Sequence, residues 1–326
     1  MKQERVLIAT SSFDEPEYTS VANILAENGY DVNVFEADSI ARGEQSLTIE
    51  IDNKSQAKYC LNDKYLQLQT TAAAWFRKPT LMYYEMDDPS VGYGLRQEAR
   101  NIQSSIWSAV PEDKWLNSPE RITRVESKLA QLATASSFGF NIPKTVVSND
   151  WEVVQNSFGN QDVVAKMPVG VLQDRSNALR IMYAKVLSEE DVESLSSTTF
   201  PYPAIFQEYV AKSREWRVTV VGDKVFDASV HTSEEAKDDW RAHTEDASAV
   251  SFHNEEMSQD IKDRCVEFLG HLGLKFGAFD FIEDYDGKIT YLEVNPNGQF
   301  GWIEEQLGMP ISSAIADELV KIAKSK

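Results

Sequence analysis

The chain is short of cysteine, histidine and positive charge. Its 326 residues include two cysteines, Cys60 and Cys265, with no Cys-x-x-Cys pair. That argues against a disulfide framework and a thiolate metal centre, and makes a reducing cytoplasm the expected compartment. The four histidines show no metal-ligand spacing. Lys and Arg number 32 against 52 Asp and Glu, a formal net charge of −20 at pH 7. Nucleic-acid backbones are bound through cations, so nucleic acid is not an expected partner. The same charge favours solubility and attracts basic segments of a partner. No apolar run approaches the roughly 18 residues of a membrane span, so no membrane partner is expected. Residues 5–9 read as a first strand, not as part of a signal peptide. No Gly-x-Ser-x-Gly element or Cys–His motif is present, so no covalent nucleophile is evident.

The remaining composition is that of a globular enzyme, 42% hydrophobic and 26% charged. The length suffices for two or three packed lobes. Residues 5–12 read as a strand, 17–28 as a helix stopped by Gly29, and 31–35 as a strand. This opening predicts a parallel α/β unit. Residues 46–69 alternate apolar and polar, with turn signals at Asp52-Asn53 and Asn62-Asp63, and predict a meander. Residues 72–76 form a buried-strand candidate ending in Arg77-Lys78-Pro79, and residues 94–110 look helical. Ser118-Pro119-Glu120 opens a predicted helix to about residue 138, stopped by Gly139. A domain boundary is placed near residue 120. Beyond it, strands at 162–167, 179–186, 204–210, 216–221 and 224–230 mix with helices at 188–195, 257–272 and 310–323. The fold class expected is α/β (α+β).

The densest chemistry lies near the C-terminal end. Asp284-Tyr285-Asp286-Gly287-Lys288 is turn chemistry between two alternating apolar runs and predicts a hairpin. Residues i and i+2 share a strand face, so Glu293 and Asn295 point the same way. Closure near Asp286-Gly287 brings Asp280 alongside them. Two carboxylates and an amide oxygen suit Mg²⁺, which keeps water and substrate phosphates as further ligands. A lone Asp280 would be read as an incidental acid on a strand edge. Glu-x-Asn-Pro-Asn-Gly behind an upstream Phe-Asp-Phe is far more specific.

This Asp…Glu-x-Asn arrangement resembles the magnesium site of the ATP-grasp ligases. The resemblance implies an N-terminal α/β pre-ATP-grasp domain (residues 1–120), a central subdomain (121–205) and a C-terminal subdomain carrying the metal site (206–326). The nucleotide would lie between the last two. ATP and two Mg²⁺ ions are the implied cofactors, held in part by Asp280, Glu293 and Asn295. Lys166, ending the apolar run Val163-Val164-Ala165, and Lys128, about forty residues earlier, match the family's phosphate-binding lysines. Two cations help to offset a triphosphate that metal alone does not neutralise. Phe206-Gln207-Glu208-Tyr209-Val210 resembles the adenine hinge, which brings Gln207, Glu208, Tyr209 and Val210 to the nucleotide. Glu215 and Arg217 share a strand face and match an acid-x-Arg signature of the peptide-ligase branch. That signature puts Glu215 beside the ATP and Arg217 where charge develops on the transferred phosphoryl group. A guanidinium suits that task better than an ammonium. Arg241 matches a further catalytic basic position. The chain departs from many members in having no Gly-rich loop after Lys166.

A narrower resemblance is to the microviridin-type peptide ligases, or graspetide synthetases. Trp75-Phe76-Arg77-Lys78-Pro79 is similar to their Trp-aromatic-Arg-Arg-Pro element. Trp115-Leu116-Asn117-Ser118-Pro119, Lys128 and residues 139–145 follow the same pattern, as does the missing Gly-rich loop. The implied substrate is a ribosomally made precursor peptide with a leader. ATP would phosphorylate its Asp or Glu side chains, and Ser or Thr hydroxyls or a Lys amine of the same peptide would displace phosphate. Ser188-Glu189-Glu190-Asp191 reads first as a capping box, Ser followed three residues on by an acid. The resemblance adds a second reading, that Glu189, Glu190 and Asp191 hold a basic residue of the leader. A homodimer is also implied. The alternative within the fold is an amino-acid or glutamate ligase acting on a small molecule or protein tail.

Overall fold

The structure, a computed structural model, describes residues 3–53, 57–62, 64–83, 88–166, 171–173, 179–181, 185–188, 191, 203–233 and 249–325. Its first sheet is parallel. β1 (Arg5–Thr10) lies between β2 (Asp31–Glu36) and β6 (Ala73–Phe76). β1 is an almost continuous apolar run because both of its faces are covered. The crossover helix α1 (Glu15–Glu27) buries Tyr18, Val21 and Leu25 on this sheet and ends before Gly29, whose φ of +86° turns the chain. The predicted meander is present as β3 (Leu47–Glu50), β4 (Lys58–Leu61) and β5 (Lys64–Leu66). Helix α2 (Ala37–Ala41) precedes it, and α3 (Pro89–Ser108) follows β6.

The single helix predicted from residue 118 to 138 is two helices, α4 (Pro119–Val125) and α5 (Lys128–Ser137). Ser118 caps α4, its hydroxyl accepting the Arg121 amide, with Pro119 in the first turn. Ser127 is extended and starts the chain afresh, so Lys128 opens α5.

The central sheet is antiparallel in the order β11-β8-β12-β7. Its strands are β7 (Thr145–Ser148), β8 (Val163–Lys166), β11 (Lys185–Val186) and β12 (Ala204–Glu208). β9 (Val171–Gln173) and β10 (Leu179–Ile181) form a separate antiparallel pair. The strand predicted over 179–186 is therefore divided between two sheets. Helix α6 (Trp151–Phe158) packs Trp151, Val154 and Phe158 against Val163, Ala204 and Phe206.

The last sheet has the order β15-β14-β13-β16-β17. It comprises β13 (Lys212–Val221), β14 (Lys224–Thr232), β15 (Val250–His253), β16 (Phe276–Asp284) and β17 (Ile289–Asn295). Helix α7 (Gln259–His271) covers one face, burying Cys265, Phe268 and Leu269 against Trp216, Val218, Phe279, Phe281 and Tyr291. After the short α8 (Gly301–Leu307), α9 (Ile311–Lys324) returns to the first lobe. Its Ile311, Ile315, Leu319 and Ile322 share one cluster with Val6, Ile8, Val21 and Leu25. Val221, Ala228 and Phe276 join the same cluster, so one core fixes the end of the parallel sheet against the last sheet. Among the described residues no helix is long and apolar enough to cross a membrane.

Candidate active site

The predicted hairpin closes at residues 284–288, with Gly287 at φ +79°. Asp280 lies opposite Glu293 on β17 and opposite Arg217 on β13. Arg217, Asp280 and Glu293 thus stand abreast on three neighbouring strands. A bulge enables this: the partner of Asp280 is Glu293, but the partner of Phe281 is Tyr291. Leu292 is the extra residue. In an unbroken strand Tyr291 would share the face of Glu293. The bulge instead sends Tyr291 into the aromatic core beneath the sheet together with Val294. Glu293 and Asn295 are left on the opposite face.

Arg217 Nη1 meets Asp280 Oδ1 at 2.8 Å, with the two side chains 8% and 7% exposed. Its Nη2 donates to the Gln299 carbonyl at 3.0 Å. Its Nε is buried with no hydrogen-bond partner among the described residues. Gly298 makes room for it: a Cβ there would lie 2.6 Å from Arg217 Nη2 and 2.3 Å from the Ala278 Cβ.

Lys128 reaches the row from the start of α5, its Nζ 2.9 Å from Glu293 Oε2. What holds α5 there is Gln131, one turn on and buried. Its amide nitrogen donates to the carbonyls of Val125 at 2.6 Å and Val294 at 2.9 Å. Its oxygen accepts the Val294 amide at 2.9 Å and the Tyr291 hydroxyl at 3.0 Å. All four hydrogen-bonding positions of the side chain are used.

Two residues of the first lobe anchor the loop after β17. Arg77, fully buried, donates from Nη1 to the carbonyls of Asn297 at 3.0 Å and Gly298 at 2.9 Å. Its other nitrogens bind Asp14, at 2.7 and 3.1 Å, and Glu17. Asn117 donates to the carbonyls of Phe276 and Pro296 and accepts the amides of Lys275 and Phe276. Sequence reasoning did not single out Gln131 or Asn117. A polar side chain at a helical core position was the available signal for Gln131. Asn117 lies in the Trp115-Leu116-Asn117-Ser118-Pro119 element of the resemblance, which marked the segment without giving this side chain a role.

Of the nucleotide candidates, Lys166, Gln207 and Glu208 lie on the central sheet. Lys166 ends β8, opposite Ile205 of β12. Gln207 is buried and donates to the Thr145 hydroxyl at 2.9 Å. Glu208 and Tyr209 donate their amides to the carbonyls of Lys144 and Asp162, and Glu208 Oε1 accepts the Lys144 amide. Tyr209, Val210 and Ala211 form the three-residue passage from β12 to β13, between the two sheets. Glu215 lies two residues before Arg217, buried and 2.5 Å from Lys212 Nζ. Arg241, Glu189 and Glu190 lie outside the described residues. Ser188 and Asp191 form the capping box: the Ser188 amide and hydroxyl donate to Asp191 Oδ2, and the Asp191 amide donates to Ser188 Oγ.

The structure therefore brings Lys128, Arg217, Asp280, Glu293 and Asn295 to one face of the last sheet. The donor set fits Mg²⁺. It is all oxygen, and among the described residues no cluster of three or more His, Cys, Asp or Glu offers a closed protein cage. A site with two carboxylates and one amide leaves positions for water and phosphate. Arg217 adds a guanidinium with unused donor capacity beside this set, its buried Nε having no partner among the described residues.

No protein-family model matches the chain. Its structure is similar, over nearly its whole length, to solved ATP-grasp enzymes. A RiPP-associated ATP-grasp ligase from Chryseobacterium gregarium, in complex with ADP and a leader and core peptide, is 27% identical. That match covers 98% of this chain and 97% of the other, with a TM-score of 0.84. The macrocyclase MdnC from Microcystis aeruginosa MRC, bound with precursor peptide MdnA, is 24% identical. There the match covers 97% and 99% with a TM-score of 0.83, a likeness of fold. Among curated proteins, β-citrylglutamate synthase B of Danio rerio is 23% identical over 222 residues, 65% of this chain. The match spans about half of that protein's length, 51%. The architecture expected from the sequence is present: the chain has the ATP-grasp fold.

Proposed function

We propose that this ATP-grasp ligase joins side chains within a ribosomally made, leader-bearing peptide. Its lobes would be residues 1–120, 121–205 and 206–326. ATP would activate Asp or Glu side chains, and Ser or Thr hydroxyls or a Lys amine of the same peptide would form the ester or amide. The observation that carries this reading is the row Arg217–Asp280–Glu293 with Lys128 at its edge. It gathers cations and hard oxygen donors at one place, and the described residues of the row include no Ser, Thr or Cys nucleophile. Such a site activates a carboxylate by positioning and electrostatics. The acceptor must then come from a substrate.

Each residue has a task consistent with its surroundings. Asp280, Glu293 and Asn295 would hold two Mg²⁺ ions, which neutralise phosphate charge during transfer. Arg217 is anchored through Asp280 and Gln299, so its free Nε faces a fixed direction as charge develops on the moving phosphoryl group. Lys128 and Lys166 would bind the phosphates. The Glu208 and Tyr209 amides already serve the sheet. A base edge at the hinge would therefore be read by the Glu208 carbonyl and the Val210 amide, with Gln207 and Glu215 fixing the strands around it. Arg241 is assigned to the phosphates, Glu189, Glu190 and Asp191 to the leader, and the working form to a homodimer, all by the same resemblance.

The partial match to a citrylglutamate synthase favours one other reading, an amino-acid or glutamate ligase. Mass spectrometry of the precursor peptide incubated with enzyme, ATP and Mg²⁺ separates the two. Loss of one water per bond formed, with ADP and phosphate released, is expected. A mass gain of one amino-acid residue would establish the alternative. Release of AMP would reject acyl-phosphate chemistry in both.

A further inference from the structure

Lys78 is the residue of the site region that this chemistry has not yet used. It follows Arg77 at the carboxyl end of β6, where an open parallel sheet binds ligands. Its backbone is left-handed, with φ +48°. A lysine rarely takes that conformation, and the following Pro79 makes it less favourable still. The turn is held by Ser11. The Ser11 hydroxyl donates to the Lys78 carbonyl at 3.2 Å and accepts the Thr80 amide at 2.7 Å. Strain maintained by dedicated contacts is a mark of a functional position.

The electrostatic setting is unusual. The half-buried ammonium lies in the fields of Arg77, Asp14, Glu17 and Arg217. Both acids are engaged by other donors. Asp14 gives both oxygens to Arg77. Glu17 binds Arg77 through one oxygen and accepts the Phe300 and Gly301 amides on the other. Arg217 is matched by Asp280. Lys78 Nζ has no hydrogen bond or ion pair among the described residues. Burial and the neighbouring Arg77 push its pKa down to about 8. A cation desolvated without a partner is unfavourable, and an anion beside it removes that penalty.

We propose that Lys78 binds the side-chain carboxylate that is to be phosphorylated, presenting it to the phosphoryl group beside Arg217. This rests on the ligase reading above and extends it to the acceptor of the phosphoryl group. In the step so positioned, a carboxylate oxygen bonds to the γ-phosphorus. The bond from that phosphorus to the β,γ-bridging oxygen breaks, and its electron pair leaves with ADP. The bound anion is a carboxylate carried on a peptide side chain. Lys78 would therefore select acids over amides at the modified position, because a neutral amide offers the ammonium no countercharge.

The test uses the full-length protein and a small probe, N-acetylglutamate α-amide, whose only carboxylate is the side chain. With ATP, Mg²⁺ and hydroxylamine, the acyl phosphate is captured as a hydroxamate while phosphate leaves. Lys78→Met is expected to raise the half-saturating carboxylate concentration about ten- to a hundredfold. Half-saturating ATP should stay within about threefold, and Lys78→Arg should recover much of the loss. An unchanged carboxylate curve, or an equal shift for ATP, overturns the assignment. If the wild-type protein yields no hydroxamate, the ligase reading fails with this probe, and Lys78 is judged by labelling instead. Acetylation of Lys78 by acetic anhydride, followed by peptide mass spectrometry, should slow when the probe and MgADP are present. Unchanged labelling then sinks the proposal.

Discussion

Replacing Gln131 with leucine should damage stability and nucleotide binding together. The side chain makes four buried hydrogen bonds, three from α5 to β17 and one to the Val125 carbonyl at the end of α4. Leucine has a similar size but leaves the Val294 amide and the Tyr291 hydroxyl as donors without acceptors. Each orphaned buried donor costs about 1–3 kcal/mol. The two carbonyls that lose a donor cost less, since carbonyls tolerate partial satisfaction better. Some of this is offset by the leucine side chain, so the net loss should be ~3–5 kcal/mol. For a chain of this size, that lowers the melting temperature by roughly 6–15 °C. The functional effect follows from what the bonds hold. Val294 sits between Glu293 and Asn295, and α5 carries Lys128, so both should lose their alignment.

Lys128→Met is the control. Its ion pair with Glu293 is half-exposed and worth at most about 1 kcal/mol. That variant should bind nucleotide more weakly while unfolding almost as the wild type does. Urea unfolding and titration with a fluorescent ADP analogue measure both quantities. If Gln131→Leu unfolds within ~1 kcal/mol of wild type, the network does not hold the two elements. If it loses stability but binds nucleotide normally, Gln131 is structural only.

Three more outcomes are expected. Glu293→Gln and Asp280→Asn should both nearly abolish product at saturating Mg²⁺, but only Asp280→Asn should also lose ~3–5 kcal/mol of stability, because it strands a buried Arg217; wild-type turnover in either contradicts the metal assignment. Arg217→Lys keeps the charge and loses the planar fork, so single-turnover rates should fall about a hundredfold while nucleotide affinity moves only a few-fold; equal losses would make Arg217 a ground-state binder. Lys78→Met should be more stable than wild type by ~1–3 kcal/mol below pH 8, since the folded pKa lies under the ordinary 10.5 and the unfolded chain holds the extra proton between those values. That advantage should fade as pH rises from about 8 towards 10.5, and a pH-independent difference in unfolding free energy would refute it.

The parts of the site visible in the sequence are those set by local rules. Asp284-Tyr285-Asp286-Gly287-Lys288 specifies a turn, the flanking alternation specifies two strands, and together they put Asp280 against Glu293. The β1–α1–β2 opening and helix α9 were legible for the same reason. The bulge at Leu292 was not, because no glycine or proline marks it. The pairing is set by Tyr291 and Val294 both seeking the core under α7. The break between α4 and α5 was masked by helix-compatible residues on either side of Glu126-Ser127, although Ser127 ahead of Lys128 is a helix-start signal. The Arg77 clamp joins residues 220 apart in the chain, which no local pattern encodes.

The two ion pairs of the row bear on how the site accommodates so much charge. Glu293 holds Lys128, and Asp280 holds Arg217, so neither carboxylate of the row is left unneutralised. On the proposed chemistry, divalent cations and a polyanionic nucleotide arrive together. The carboxylates would then face metal while Lys128 turned to phosphate oxygens. Every group keeps an opposite charge through the exchange, which avoids the large penalty of a buried unpaired ion. The two pairs are not equivalent in this respect. Lys128 is a flexible, half-exposed ammonium that can leave Glu293 readily. Arg217 is buried, tied to Gln299 and pressed against Gly298, so it stays in place. The mobile cation suits capture of the nucleotide, and the fixed one suits the moment of transfer, when preorganised charge lowers the barrier most.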